Sequence, residues 1–179
     1  MRFQETELRG AFVIELDGSE DERGSFVRTF CAREFGQKRV MERMAQTSIS
    51  YSRKRGTLRG IHYQESPHQE AKLITCVSGS IYDVIVDLRP YSPTFKRWIG
   101  CKLNSDERRA LFAPEGFAHG FQTLVDDTAI LYHISEFYEP ASARGILWND
   151  PILGITWPLK PTVISPRDRL YPLLKSDID

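Results

Sequence analysis

The chain has 179 residues, a length that suits one domain with a real core. Hydrophobic residues make up 41% and charged residues 27%, which excludes a disordered chain, a collagen-like fibre and a coiled coil. The 24 Lys and Arg balance the 24 Asp and Glu, with a pI of ≈ 6.9, so no global field exists to gather nucleic acid.

The first residues, Met1-Arg2-Phe3-Gln4-Glu5, turn polar at once and lack the apolar stretch of a signal peptide. The best helical pattern spans Ala32–Met44, with Phe35, Val40, Met41 and Met44 apolar and Gly36 weakening it. Arg53-Lys54-Arg55 reads as a solvated turn. Leu58–Gln64 and Lys72–Val77 are β-prone runs, and Ser78-Gly79-Ser80 leads into a third, Ile81–Leu88. The turn between the last two predicts a hairpin. In its second arm Tyr82, Val84, Val86 and Leu88 share one face, and Ile81, Asp83, Ile85 and Asp87 the other. The longest apolar runs, such as Ile81–Val86 with Asp83 inside it, are far too short to span a bilayer.

Further strands are expected at Trp98–Leu103, Ala110–Ala113, Gly120–Leu124 and Ala129–Glu136. Short strands between turns predict an antiparallel sandwich or barrel, mainly β with a few short helices. Pro151, Pro158, Pro161, Pro166 and Pro172 make the last thirty or so residues a poor sheet or helix former. That tail is expected to wrap the surface and to carry a side chain to a site built elsewhere. Cys31, Cys76 and Cys101 form no CxxC pair, so neither a zinc cluster nor a secreted disulfide scaffold is expected. The expectation is a soluble cytoplasmic protein of one domain, residues 1–179, with a core over about 12–160 and the wrapping tail over about 161–179.

The chain has four histidines, His62, His68, His119 and His133. His119 ends Pro114-Glu115-Gly116-Phe117-Ala118-His119, the P-x-G-x-x-H element of the cupin jelly roll, which aims its imidazole into the barrel. A metal cupin also places H-x-H on an earlier strand, but Gln64 stands at the second position after His62. A transition metal wants several convergent ligands, so a site without metal is expected. A neutral imidazole is a good base near pH 7. Lys72 or a second imidazole can hold a developing oxyanion. Lys72 follows His62 by ten residues, the distance of a tight return onto the neighbouring strand, and Tyr132 can offer a phenolic proton from the opposite wall. Together these groups are what is needed to remove a proton beside a ketone and return one on the other face.

From about Phe12 to Leu174 the sequence resembles the dTDP-4-dehydrorhamnose 3,5-epimerase family. The resemblance rests on Asp21-Glu22-Arg23-Gly24, Leu58-Arg59-Gly60-Ile61-His62-Tyr63-Gln64 and Asp87-Leu88-Arg89 with Ser92-Pro93-Thr94-Phe95. It continues through Pro114–Phe121 and Trp148-Asn149-Asp150-Pro151, with Gly154-Ile155 and Trp157-Pro158 after it. It implies a cupin-type β-jelly roll and a homodimer. The activity implied is cofactor-free epimerisation, at C3, C5 or both, of a 4-keto-6-deoxyhexose on a nucleoside diphosphate, in deoxysugar biosynthesis. It also implies roles: His62 as base with Asp168 its carboxylate partner, Tyr132 as acid, and Lys72 and His119 around the sugar. Arg23 and Arg59 match nucleotide-sugar ligands, as do Phe26, Gln46 and Arg167, and Tyr138 matches the aromatic that stacks on the base. No metal, membrane or nucleic acid is implied.

The chain departs from the family pattern at Arg28, where Glu is usual, and at Ser48 and Ala143, which replace Asn and Glu. Arg167 stands for Lys. Arg28 is expected to change the sign of charge in the nucleotide pocket, leaving the preference for thymidine open. Two other classes compete. A metal cupin predicts chelator-sensitive activity, and a non-catalytic nucleotide-sugar binding module predicts binding without turnover.

Overall fold

A computed structural model describes residues 1–174. In chain order it runs β1 (Arg2–Glu5), β2 (Phe12–Glu15), β3 (Gly18–Asp21), β4 (Gly24–Val27), α1 (Ala32–Lys38), β5 (Gln46–Ser52), β6 (Thr57–Gln64) and β7 (Lys72–Ser78). It continues with β8 (Ser80–Asp87), β9 (Trp98–Asn104), β10 (Arg109–Ala113), β11 (Phe117–Thr123), β12 (Thr128–Ile134), β13 (Ala143–Gly145), β14 (Val163–Ile164) and α2 (Pro166–Arg169).

Two sheets carry the fold. The first has the order β1-β2-β10-β7-β12-β5; the second runs β13-β6-β11-β8-β9, with β14 added in parallel to β6. This is the mainly β sandwich expected of the sequence. The predicted hairpin does not form: β7 belongs to the first sheet and β8 to the second. Ser78-Gly79-Ser80 therefore carries the chain from one sheet to the other, with Gly79 at φ +80. A turn sequence fixes a reversal, not which sheet the second arm joins.

The alternation in β8 is as read, and both of its faces are covered. Ile81 and Ile85 join Ile74, Leu103, Leu111, Phe121 and Ile130 between the sheets. Val84 and Val86 turn outward onto Ile146, Leu153 and Ile155, which follow β13. The Trp148–Pro151 motif pins this covering segment. Buried Asp150 accepts from the Ile152 and Leu153 amides and from Leu174 N–H, and the Trp98 indole donates to Leu153 O at 2.7 Å.

The outer face of the first sheet is capped by α1 through Phe35, packed with Ile14, Leu73 and Phe112. This helix is shorter than the sequence predicts. It stops at Lys38 because Arg39 (φ 54) and Met41 (φ 46) take left-handed backbone, a conformation that non-glycine residues rarely signal in sequence. Val40 and Met41 still enter the core, but from a loop.

Candidate active site

One end of the sandwich opens into a cavity of about 380 Å³ that continues into a second lobe of about 360 Å³. His62, His119, Tyr132 and Asp168 line both lobes. β6 and β11 lie side by side with His62 and His119 as Cα partners, so the second sheet supplies both imidazoles. The two strands approach closely at Gly60 and Gly120. A Cβ on Gly60, whose φ is +125, would lie 2.5 Å from the Gly120 Cα, so that position demands glycine. A register shift between His119 and Phe121 accompanies this contact.

His62 Nε2 lies 2.8 Å from Asp168 Oδ1. The carboxylate comes from α2 in the tail, where the Ser165 side chain caps Asp168 N–H and Gly60 N–H donates to Asp168 Oδ2 at 3.2 Å. Burial pushes the Asp168 carboxyl up, but the bonds from His62 and Gly60 outweigh it and leave it below the ordinary value. With Nε2 engaged, Nδ1 of His62 is the nitrogen left for the cavity. The ring is also packed edge-on against Tyr171, 5.6 Å between centroids.

His119 has its own carboxylate, the fully buried Asp83, at 2.6 Å. Its ring stands edge-on to Tyr132 at 5.7 Å. Tyr132 comes from β12 in the first sheet, the wall opposite His62, as expected. Burial above all, then the charge of Asp83, pushes its hydroxyl well above the usual phenol range, with Arg59 opposing, so Tyr132 stays protonated.

Lys72 also lines the cavity, but not by the predicted route. β7 is not a neighbour of β6; it lies in the facing sheet, so the lysine faces the cavity from the wall opposite His62. Its Nζ lies 2.7 Å from Glu70, a residue the sequence reading missed.

Arg59 lines the second lobe, its guanidinium held by Ser52 Oγ and Tyr51 O. Gln46, Tyr138 and Arg167 line the first. Gln46 Oε1 accepts from Tyr138 N–H at 2.7 Å, and the Arg167 guanidinium lies over the Tyr171 ring at 5.5 Å. Gln64, at the H-x-H position, is a loop clamp: its amide donates to His68 O and Phe137 O and accepts from Glu139 N–H. Among the described residues no group of three or more His, Cys, Asp or Glu side chains is placed to hold a metal ion.

Three expected residues are not in this cavity. Arg23 and Phe26 sit on the β3–β4 hairpin, a separate two-stranded sheet, with Phe26 78% exposed and Arg23 paired to Asp21. Arg28 follows that hairpin and is paired with Glu34 at 3.3 Å, so it adds no positive charge to the cavity of its own chain. Ser48 and Ala143 do line it.

The profile of the dTDP-4-dehydrorhamnose 3,5-epimerase family matches residues 5–176. The chain belongs to this family. The family's enzyme from Methanothermobacter thermautotrophicus is 42% identical over 179 residues, covering 98% of this chain and 96% of that one. The Bacillus anthracis epimerase, crystallised with TDP and pyrophosphate, superposes with a TM-score of 0.93 at 42% identity, over 97% of this chain and 99% of that one. The Legionella pneumophila epimerase, in complex with dTDP-4-keto-L-rhamnose, gives a TM-score of 0.91 at 36% identity, over 96% and 92%. The sandwich is thus the family's cupin-type jelly roll. Among the described residues no helix is long and apolar enough to cross a membrane.

Proposed function

We propose that this epimerase inverts C3, C5 or both in a nucleoside-diphosphate 4-keto-6-deoxyhexose of the dTDP-4-dehydro-6-deoxyglucose type, as one cytoplasmic domain serving deoxysugar biosynthesis. The observation that carries the reading is the His62–Asp168 pair at 2.8 Å, sharing one cavity with Tyr132 from the opposite sheet. Nδ1 of His62 takes the proton from the carbon beside the C4 ketone. The C–H electrons move into an enolate on O4, which the Lys72 ammonium and His119 hold. Tyr132 delivers its phenolic proton to the opposite face of that carbon, and both groups then re-equilibrate with solvent. Base, oxyanion donors and acid are complete without a cofactor.

Arg59 and Arg167 suit the diphosphate, which favours bidentate guanidinium, and Tyr138 offers a half-exposed ring to the base. Arg23 and Phe26, exposed on their hairpin, serve the cavity of a second copy in a homodimer. Solvent deuterium incorporation at C3 and C5 across a panel of NDP-4-keto-6-deoxyglucoses, read by NMR, tests the activity. Incorporation at neither carbon with any nucleotide would refute it. Mixing an Arg23→Ala chain with a His62→Asn chain tests the shared site: restored activity requires that each cavity draws on both copies.

A further inference from the structure

Two acids line the larger lobe, and they are used differently. Asp168 spends one oxygen on His62 and the other on the Gly60 amide. Glu70 gives Oε1 to Lys72, and its second oxygen has no hydrogen bond among the described residues. Both side chains of the Glu70–Lys72 pair are about nine-tenths covered, 10% and 11% exposed, so this carboxylate is a component of the site.

Its placement is costly for the proposed reaction. Lys72 must hold the negative charge that develops on O4, and a second negative charge beside the lysine repels that oxyanion. A carboxylate there is explained if it binds a proton donor of the substrate. A carboxylate only accepts hydrogen bonds. The ketone carbon has two neighbours: C5 carries a methyl group and the ring oxygen, neither of which donates, whereas C3 carries a hydroxyl. With Lys72 on O4 and Glu70 within 2.7 Å of Lys72, the donor adjacent to both is the C3 hydroxyl.

Resting on the epimerase reading, we propose that Glu70 binds the C3 hydroxyl of the substrate and thereby sets how fast C3 exchanges relative to C5. The bond orients the C3 centre so that its C–H lies across the carbonyl plane, the alignment needed for proton removal. It does nothing for C5, whose proton is removed with the same enolate oxygen and the same base. Glu70 is therefore a substrate-binding residue selective for one of the two carbons.

The test follows deuterium entry at C3 and C5 of dTDP-4-keto-6-deoxyglucose separately, for wild type, Glu70→Gln and Glu70→Ala, with dTDP affinity measured in parallel. Glu70→Ala should slow C3 exchange at least tenfold relative to C5 and leave dTDP affinity unchanged. Glu70→Gln, whose amide oxygen still accepts a bond, should lose less at C3. If Glu70 only holds Lys72, both variants slow C3 and C5 equally, because the lysine holds O4 in either enolate; that result overturns the proposal. So does a wild type that exchanges only at C5. Normal wild-type exchange with a flat C3-to-C5 ratio defeats this proposal alone, whereas no wild-type exchange at either carbon defeats the epimerase reading with it.

Discussion

Asp168 reaches His62 from 106 residues further along the chain, and its carboxylate oxygen sits on the imidazole Nε2 at 2.8 Å. The contact fixes the tautomer and leaves Nδ1 as the basic nitrogen. His62→Asn should lower epimerisation by the ~10²–10⁴-fold typical of one general base. Asp168→Asn should cost less, since the imidazole survives without a fixed tautomer. Steady-state turnover of both variants checks this; a His62→Asn enzyme keeping more than about a tenth of wild-type exchange would remove His62 from the role.

Tyr132 and His62 stand on different sheets, so the two proton transfers can be separated. Tyr132→Phe should still exchange the substrate proton with solvent, because His62 removes and returns it on one face. Net inversion should fall far more than exchange. Deuterium incorporation compared with product stereochemistry, both by NMR, gives the answer. Equal loss of the two would mean that another group on that wall is the acid.

The Asp87-Leu88-Arg89 motif with Ser92 and Thr94 serves stability. Asp87 is fully buried, which by itself pushes its carboxyl up. Bonds from Arg89, Ser92 and Thr94 prevail and bring it down from 3.8 to about 2. A depressed carboxyl stabilises the fold above its unfolded value and loses that contribution as pH falls through the folded one. The window thus lies between about pH 4 and pH 2, and the contribution is roughly 2 kcal/mol. Asp87→Asn should be less stable by about that amount near pH 7, with the gap closing as pH approaches 2. Denaturant unfolding across that range measures it, and a constant gap would contradict the assignment.

Ser48 is the Cα partner of Tyr132 and lines the larger lobe, as does Ala143. Both are smaller than the Asn and Glu of the family pattern, so a base or ribose held by those groups loses hydrogen bonds worth about 0.5–1.5 kcal/mol each. The thymidine substrate should accordingly be preferred over uridine, cytidine and guanosine forms by less than about a hundredfold. Comparing kcat/KM for the four nucleotides with one sugar decides it, and a larger preference would show both substitutions to be silent.

The strands β6 to β12 were legible because period-two alternation survives where both faces of a strand are covered, as Val84 and Ile85 illustrate. Asp83, a carboxylate in phase with the interior residues Ile81 and Ile85, carried a readable signal for His119's partner. Sheet membership was not legible, because the crossing at Ser78–Ser80 depends on pairings far away in sequence. β5, with the sequence QTSISYS on a sheet edge, shows little apolar alternation, and so the wall bearing Gln46 and Ser48 went unseen as a strand. Asp168 was reachable through family resemblance alone, since nothing local in Pro166-Arg167-Asp168 points to an imidazole on β6. Glu70 was missed because it precedes the first residue of β7, where loop geometry decides its direction.

Because His62 and Tyr132, the proposed base and acid, hang from separate sheets, the hydrocarbon between those sheets is a calibrated spacer. Facing sheets stand about 10 Å apart at a distance fixed by the side chains that fill the gap. Ile74, Ile85 and Ile130 fill it here, and Tyr132 packs against the same cluster. Shaving a methyl group from Ile130 removes no polar atom, yet it lets the jaws settle, and a misplacement of about 1 Å can cost about a hundredfold in rate. Aliphatic volume deep in this sandwich is therefore a kinetic variable, open to selection without any change among the residues that touch the sugar.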